Sequence, residues 1–266
     1  MTRRTKRHIY IDAILIVITI TFFTSHKWGM SKKEYNNITI YYHCETIKSD
    51  TILDNLFKTI SDILKNKGLS LPNSNQSIYL CKSDLEFKIK SITLKNGVIG
   101  KTNYLLKRLY IKSVDFEHEI IPPQDSALNS RSITNIITHE LTHSYQFEKL
   151  GLVSYRTAPS WKIEGMAEWV SNSSSAKTGD ALPLYVKGES YDNTINCDKE
   201  LWEKTFLYFV SRVRADYLLS YKQITEDVFW NTKYDTDELD KEIRGAIIHG
   251  NYIFDNFVFQ DTLTNE

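Results

Sequence analysis

Two histidines and a glutamate lie within one five-residue segment, His139-Glu140-Leu141-Thr142-His143. On a helix, residues four apart point in the same direction, because four residues are close to one turn. His139 and His143 could therefore bind one Zn²⁺ together. Glu140, on the next position round the helix, could reach a water molecule bound to that metal. The pattern predicts a zinc hydrolase, although a motif of five residues does not establish one alone.

A zinc site of the hydrolytic kind needs three protein ligands and leaves the fourth position for water. Glu164 follows His143 by 21 residues and belongs to a second predicted helix, residues 159–169. On that helix Glu164 and Glu168 share a face, so one could bind the metal while the other supports the site from behind. For Glu168 the sequence leaves two interpretations open, namely this support and ordinary exposure to solvent.

The sequence on either side of the motif predicts the secondary-structure elements that position these residues. Residues 131–150 are predicted to form a helix, which Ser130 or Ser132 could cap and Gly151 could end. The short segment 150–157 suffices for a turn that brings the second helix back alongside the first. The two helices would then present their ligands to a common point.

H-E-L-T-H followed by W-x-x-E-G-M-A-E-W resembles the gluzincin metallopeptidases, particularly the peptidase MA-like domains of bacteria. In that family the Glu of the E-G-x-A helix is the third zinc ligand. The resemblance therefore implies that His139, His143 and Glu164 bind zinc and that Glu140 is the general base. Glu168 matches a position that usually supports the site without binding the metal.

The specific resemblance covers residues 133–170, and it also implies a mechanism. Zinc lowers the pKa of its bound water, and Glu140 takes a proton from that water and later delivers it to the leaving amine. The oxyanion that forms needs a further donor, which in related enzymes is a Tyr or His of the C-terminal part. The tyrosines left open for this role are Tyr185, Tyr191, Tyr208 and Tyr217.

The remaining sequence predicts an α+β fold, in which a small mixed β-sheet and the active-site helix precede a mostly helical C-terminal part. The resemblance implies that this fold is of the zincin type. We predict strands at residues 37–44, 77–81, 87–94 and 104–114, with a turn at 96–97. We predict helices at 50–67, 198–221, 225–230, 236–248 and 251–260. Residues 104–111 are the candidate edge strand, which in the zincin fold can pair with an extended substrate.

The N-terminus predicts export. Four basic residues within the first seven precede an apolar run at 9–23, whose cleanest part has the length of a signal-peptide core. An uncleaved single-pass anchor and a cleaved signal peptide are about equally supported. We therefore expect residues 1–30 to be a signal or anchor segment. One extracytoplasmic zincin domain would follow at 31–266, with the sheet and metal helix in 31–150 and the third ligand in 151–266.

The charge composition limits the classes of binding partner that we expect. Lys+Arg and Asp+Glu balance at 33 each, so no global charge points to nucleic acid. We expect a peptide or protein substrate, and membrane contact only through the N-terminal segment, with no oligomeric state predicted. A disulfide between Cys44 and Cys81 is feasible, and free thiols are an equally good interpretation.

The alternative function is a catalytically inactive zincin-like binding protein on the cell surface, which would have no need of Glu140.

Overall fold

The computed structural model describes residues 27, 29–45, 47, 49–93, 98–112, 119–121, 123 and 125–256. The apolar run of the predicted N-terminal signal or anchor and the predicted turn at 96–97 lie outside these residues. Among the residues that are described, no helix is both long enough and apolar enough to cross a membrane.

A mixed five-stranded sheet forms the N-terminal part, as predicted. Its strands are β1 (Ser31–Tyr35), β2 (Ile38–Tyr42), β3 (Gln76–Leu80), β4 (Gly100–Asn103) and β5 (Arg108–Ile111). Their order is β1-β2-β3-β5-β4, with β2, β3 and β5 parallel and the two edge strands antiparallel to their neighbours. The edge strand β4 therefore carries backbone groups that no strand of this sheet pairs on its outer side.

Helices make up most of the rest of the chain, and the fold is therefore of the predicted α+β class. They are α1 (Asp50–Asn66), α2 (Asp84–Ser91), α3 (Ile133–Thr157), α4 (Ser160–Ser171), α5 (Thr178–Lys187), α6 (Lys199–Asp216), α7 (Glu226–Asn231) and α8 (Thr236–Ile248). A π-helical turn, Tyr217–Tyr221, extends α6. A two-stranded ribbon of β6 (Ile120–Ile121) and β7 (Arg131–Ser132) leads into α3. Helix α4 packs between α3 and α6, which places it at the centre of the helical part.

The predicted strand at 87–94 is wrong, because residues 84–91 form α2. The alternation of apolar and basic residues there has the period of a strand, but the N-terminal cap decides otherwise. Ser83 Oγ accepts from the backbone N–H of Glu86, and Glu86 reaches back to the N–H of Lys82 at 2.8 Å. This is a variant of the capping box, in which Glu86 reaches the N–H of the residue before the cap and not that of Ser83 itself. Ser83 Oγ satisfies a donor that would otherwise be left open at the start of the helix.

Glu86 also anchors α2 electrostatically. Its carboxylate lies 2.7 Å from Lys90 Nζ and 3.0 Å from His43 Nε2. Burial would raise the pKa of Glu86, but the hydrogen bonds from Lys90 and His43 outweigh it and hold the pKa below its ordinary value.

Two other predicted elements differ from the structure. The predicted strand at 104–114 is shorter, because Tyr104 to Lys107 form the turn between β4 and β5. The edge of the sheet is consequently β4, not residues 104–111. The predicted helix at 251–260 is wrong over 251–256, where the chain is irregular, and the remainder lies outside the described residues. Cys44, Cys81 and Cys197 are all free thiols.

Candidate metal centre and catalytic cavity

Three of the predicted site residues converge on one point. His139 Nε2 and His143 Nε2 lie 3.1 Å apart, and Glu164 Oε2 lies 3.5 Å from the first and 3.6 Å from the second. Both imidazoles are buried, whereas the Glu164 side chain is 26% exposed. Among the described residues, these three form the group of His, Cys, Asp or Glu side chains that is arranged to hold a metal ion.

Local features of α3 and α4 produce this convergence. Ser132 caps α3, its Oγ accepting from Asn135 N–H at 3.0 Å. At Gly151 the helix is interrupted by a backbone with φ 73° and ψ 169°, a region open essentially to glycine alone. One further helical turn follows before α4 begins. At Gly165 a Cβ atom would collide with the backbone carbonyl of Ser211, so glycine lets α4 approach α6 closely.

A buried carboxylate lies behind His139. Glu168 Oε1 is 3.2 Å from His139 Nδ1 and 3.0 Å from Arg131 Nη1, and Arg131 Nε donates to Ser173 Oγ at 3.1 Å. Glu168 is 1% exposed, which rules out the solvent-exposed interpretation of this residue. Its contacts are those of a group that orients an imidazole from behind. Arg131 was not expected from the sequence, because nothing in its spacing marks it as a partner of Glu168.

A buried amide lies behind His143. Gln146 is fully buried, its Oε1 lies 3.0 Å from His143 Nδ1, and its Nε2 donates to the carbonyl oxygen of Ile163 at 2.9 Å. Sequence reasoning missed Gln146 as well. The three-residue spacing after His143 is a signal that could have identified it, because residues three apart are neighbours on a helix.

These contacts determine what the converging atoms can bind. An acceptor oxygen beside each Nδ1 favours the proton on that nitrogen, so both Nε2 atoms present lone pairs. Two imidazole lone pairs and one carboxylate oxygen then face one another, which is stable only around a positive charge. Zn–N and Zn–O bonds of about 2.0–2.1 Å in a tetrahedron place ligand atoms about 3.4 Å apart. The separations of 3.1 to 3.6 Å fit a zinc ion.

Without a metal, a proton supplies this charge. Burial disfavours the imidazolium form of His139, but the hydrogen bonds that this form donates to the carboxylates of Glu164 and Glu168 outweigh burial and raise its pKa to about 9. Burial likewise opposes ionisation of Glu164, yet the two histidines hold its pKa well below the ordinary range. The site thus retains a negatively charged carboxylate directed at the point where the imidazoles meet.

Glu140 lies beside this cluster and is held by the edge strand. Thr102 Oγ1, on β4, donates to Glu140 Oε2 at 2.5 Å and contacts the Glu140 backbone carbonyl at 3.1 Å. A Cβ atom on Gly100 would lie 2.6 Å from Glu140 Oε1 and 3.0 Å from Ile136 Cγ2. The missing side chain therefore lets β4 pass directly over the carboxylate. Neither Thr102 nor Gly100 was expected from the sequence.

A cavity of about 310 Å³ contains the cluster, Glu140 and parts of β4. Of the four tyrosines considered from the sequence, Tyr208 lines it, and so do Tyr104 and Tyr155, which the sequence did not indicate for this role. The hydroxyls of Tyr185 and Tyr217 are directed elsewhere, to Asp240 and Glu242. Tyr191 packs against the hydrophobic core. Burial and the nearby carboxylate of Glu164 raise the pKa of both Tyr155 and Tyr208, so each remains a hydroxyl donor.

An α+β chain in which two imidazoles and a carboxylate meet beside a second carboxylate has the features of a hydrolytic enzyme. Comparison with known families gives the class directly: the model of the BSP family, the peptidases of plants and bacteria, matches residues 48–196. This match covers more than half of the chain, and the protein belongs to that family. Membership supports an enzyme that acts on peptide or protein substrates. No curated protein matches the chain at a significant level.

Proposed function

We propose that this protein is a zinc metallopeptidase of the gluzincin type, with a peptidase MA-like domain. His139, His143 and Glu164 would hold the metal, and Glu140 would act as general base. The observation that carries the proposal is the convergence of two imidazole lone pairs and one carboxylate oxygen beside Glu140, in the cavity of a chain from a peptidase family.

The chemistry follows from the residues present. Bound zinc would polarise the scissile carbonyl and make a water molecule more acidic. Glu140 takes a proton from the attacking water as its oxygen bonds to the carbonyl carbon. The C–N bond then breaks, and Glu140 returns the proton to the leaving amine. Thr102 keeps one carboxylate oxygen of Glu140 occupied, which leaves the other free to accept the proton.

Charge on the carbonyl oxygen needs a donor besides the metal. Tyr155 and Tyr208 both line the cavity, and both keep their protons. We assign the role to these two hydroxyls, which replaces the broader choice that the sequence left open. Separate Phe substitutions would distinguish them, since the residue that contacts the oxyanion should lower kcat far more than KM.

The edge strand offers a place for the substrate backbone. β4 lies over Glu140, lines the cavity, and pairs with β5 on one side. An extended peptide could add to its outer edge and so present a carbonyl to the metal. The sequence predicts such an edge at 104–111, and β4 at 100–103 takes that place.

Hydrolysis of casein by the purified protein tests the proposal. We expect activity that is lost with a zinc chelator and restored by added zinc, and that is absent in Glu140→Gln although this variant still binds zinc. Zinc binding by a wild-type protein that hydrolyses neither casein nor a mixed peptide library would favour the inactive binding protein instead. Activity that is indifferent to chelator would contradict the zinc mechanism.

We also propose that the protein is exported through its N-terminal segment, on the strength of the basic residues before an apolar run. Fractionation of cells expressing the full chain, with an antibody against its C-terminus, tests this. Recovery in the membrane or outside the cell supports export, and recovery in the cytosol contradicts it.

A further inference from the structure

We propose that Gln146 is a positioning residue of the zinc site, holding the second and third metal ligands at once through the two ends of its amide. The inference rests on the proposed function, because it assigns Gln146 a task toward the metal. It concerns a contact that lies on the far side of the imidazole from the metal.

The orientation of the amide follows from its two partners. The Ile163 carbonyl oxygen can only accept, so the group 2.9 Å from it must be the amide NH₂. The amide oxygen is consequently the atom 3.0 Å from His143 Nδ1, and that nitrogen must donate. A flipped amide would place two oxygens against each other at Ile163. Since Gln146 is fully buried, water cannot compensate for such a mismatch.

Two consequences follow for the metal site. A proton on His143 Nδ1 leaves the Nε2 lone pair free for the metal, so the amide selects the tautomer that can bind zinc. Ile163 directly precedes Glu164, so the same amide also ties the backbone of the third ligand to α3. Gln146 thus links α3 and α4 at the site, independently of the contacts that Arg131 and Glu168 make behind His139.

Gln146→Met tests the inference, because it keeps approximate length and removes both hydrogen bonds. Gln76→Met is a matched control. Gln76 is 2% exposed and its amide also bridges two partners, donating to Ser74 Oγ at 2.9 Å and accepting from Ser144 Oγ at 3.2 Å. It therefore contacts α3 on a face away from the metal ligands. Both variants should lose similar stability, and a difference between them reports on the metal site.

The measurements are zinc affinity by chelator competition and the visible spectrum of the Co²⁺-substituted protein. We expect Gln146→Met to bind zinc roughly 10- to 100-fold more weakly and to have an altered Co²⁺ spectrum, as substitutions behind metal-bound histidines do. Gln76→Met should match the wild type in both. Gln146→Glu retains an acceptor for His143 Nδ1 but places an oxygen against the Ile163 carbonyl, so we expect it to recover only part of the affinity.

Equal zinc affinity in Gln146→Met and the wild type would overturn the inference. So would an equal loss in both Met variants, because that would indicate a general effect of destabilisation. A wild-type protein that binds no zinc would instead contradict the proposed function itself, so the two failures are distinguishable.

Discussion

The close approach of α4 to α6 makes a prediction about Gly165, which follows the proposed ligand Glu164. A Cβ atom at Gly165 would lie 2.8 Å from the carbonyl carbon of Ser211 and closer still to its oxygen. Ordinary carbon–oxygen contacts are about 3.3–3.6 Å, so Gly165→Ala would force the two helices apart by about 1 Å. The obstacle is backbone, which cannot rotate away as a side chain could.

The expected loss can be worked out from two opposing terms. Overpacking a well-packed interior costs about 1–3 kcal/mol, and a backbone obstacle favours the upper end of this range. Alanine favours a helix over glycine by about 1 kcal/mol. We therefore expect Gly165→Ala to lower the free energy of unfolding by about 2 kcal/mol. The shift of α4 should also weaken zinc binding, because Glu164 would move away from the imidazoles.

Gly245→Ala is the matched control. Gly245 lies inside α8, and a Cβ atom there meets nothing within 4 Å. This variant should gain about 0.5–1 kcal/mol and leave zinc affinity unchanged. Urea unfolding of the metal-free proteins and a zinc titration of each provide the comparison. The reasoning is refuted if Gly165→Ala is as stable as Gly245→Ala, or if it binds zinc as tightly as the wild type.

Substitutions at three further contacts provide separate tests. Thr102→Val removes a hydrogen bond to the Glu140 carboxylate that is worth about 1.5–3 kcal/mol. We therefore expect kcat to fall roughly 10- to 100-fold while the zinc content is unchanged. An unchanged kcat would show that Thr102 does not orient the base. Arg131→Met leaves the buried Glu168 carboxylate without its guanidinium partner and should cost up to about 3–5 kcal/mol of stability, part of which Glu168→Gln restores. A loss in urea unfolding below about 1 kcal/mol would contradict the buried ion pair. Glu86 has a lowered pKa in the folded protein, so its contribution is present above the unfolded value of 4.5 and is lost as the pH falls through the folded value. The stability difference between wild type and Glu86→Gln should therefore be largest near neutral pH and shrink below pH 4.5, and a difference that is constant from pH 7 to 3 would contradict this.

Local patterns were sufficient to predict most of the helices and the convergent triad. Helical spacing alone places His139 beside His143, and a second helix that begins after Pro159 and carries a carboxylate at a suitable distance supplies Glu164. The same local reasoning failed at α2, where alternating apolar and basic residues have the period of a strand. There the capping box at Ser83 and Glu86 was the decisive signal, and it was available in the sequence.

Apart from Gln146, the supporting residues could not be predicted in the same way, because their contacts depend on tertiary packing. Arg131 reaches Glu168 only because β7 enters α3 beside α4. Thr102 reaches Glu140 because β4, and not residues 104–111, lies at the edge of the sheet. The need for glycine at position 165 has a similar explanation, because a Cβ atom there would collide with Ser211 only once α4 and α6 are packed together. Spacing along the chain carries no information about such contacts.

The central claim is that His139, His143 and Glu164 hold one zinc ion. Metal analysis by mass spectrometry of the purified wild type and of Glu164→Ala, after dialysis against the same limiting zinc concentration, tests it most directly. We predict one zinc per chain in the wild type and a strong loss in the variant. A wild type without stoichiometric zinc, or a variant that retains as much zinc as the wild type, would contradict the claim.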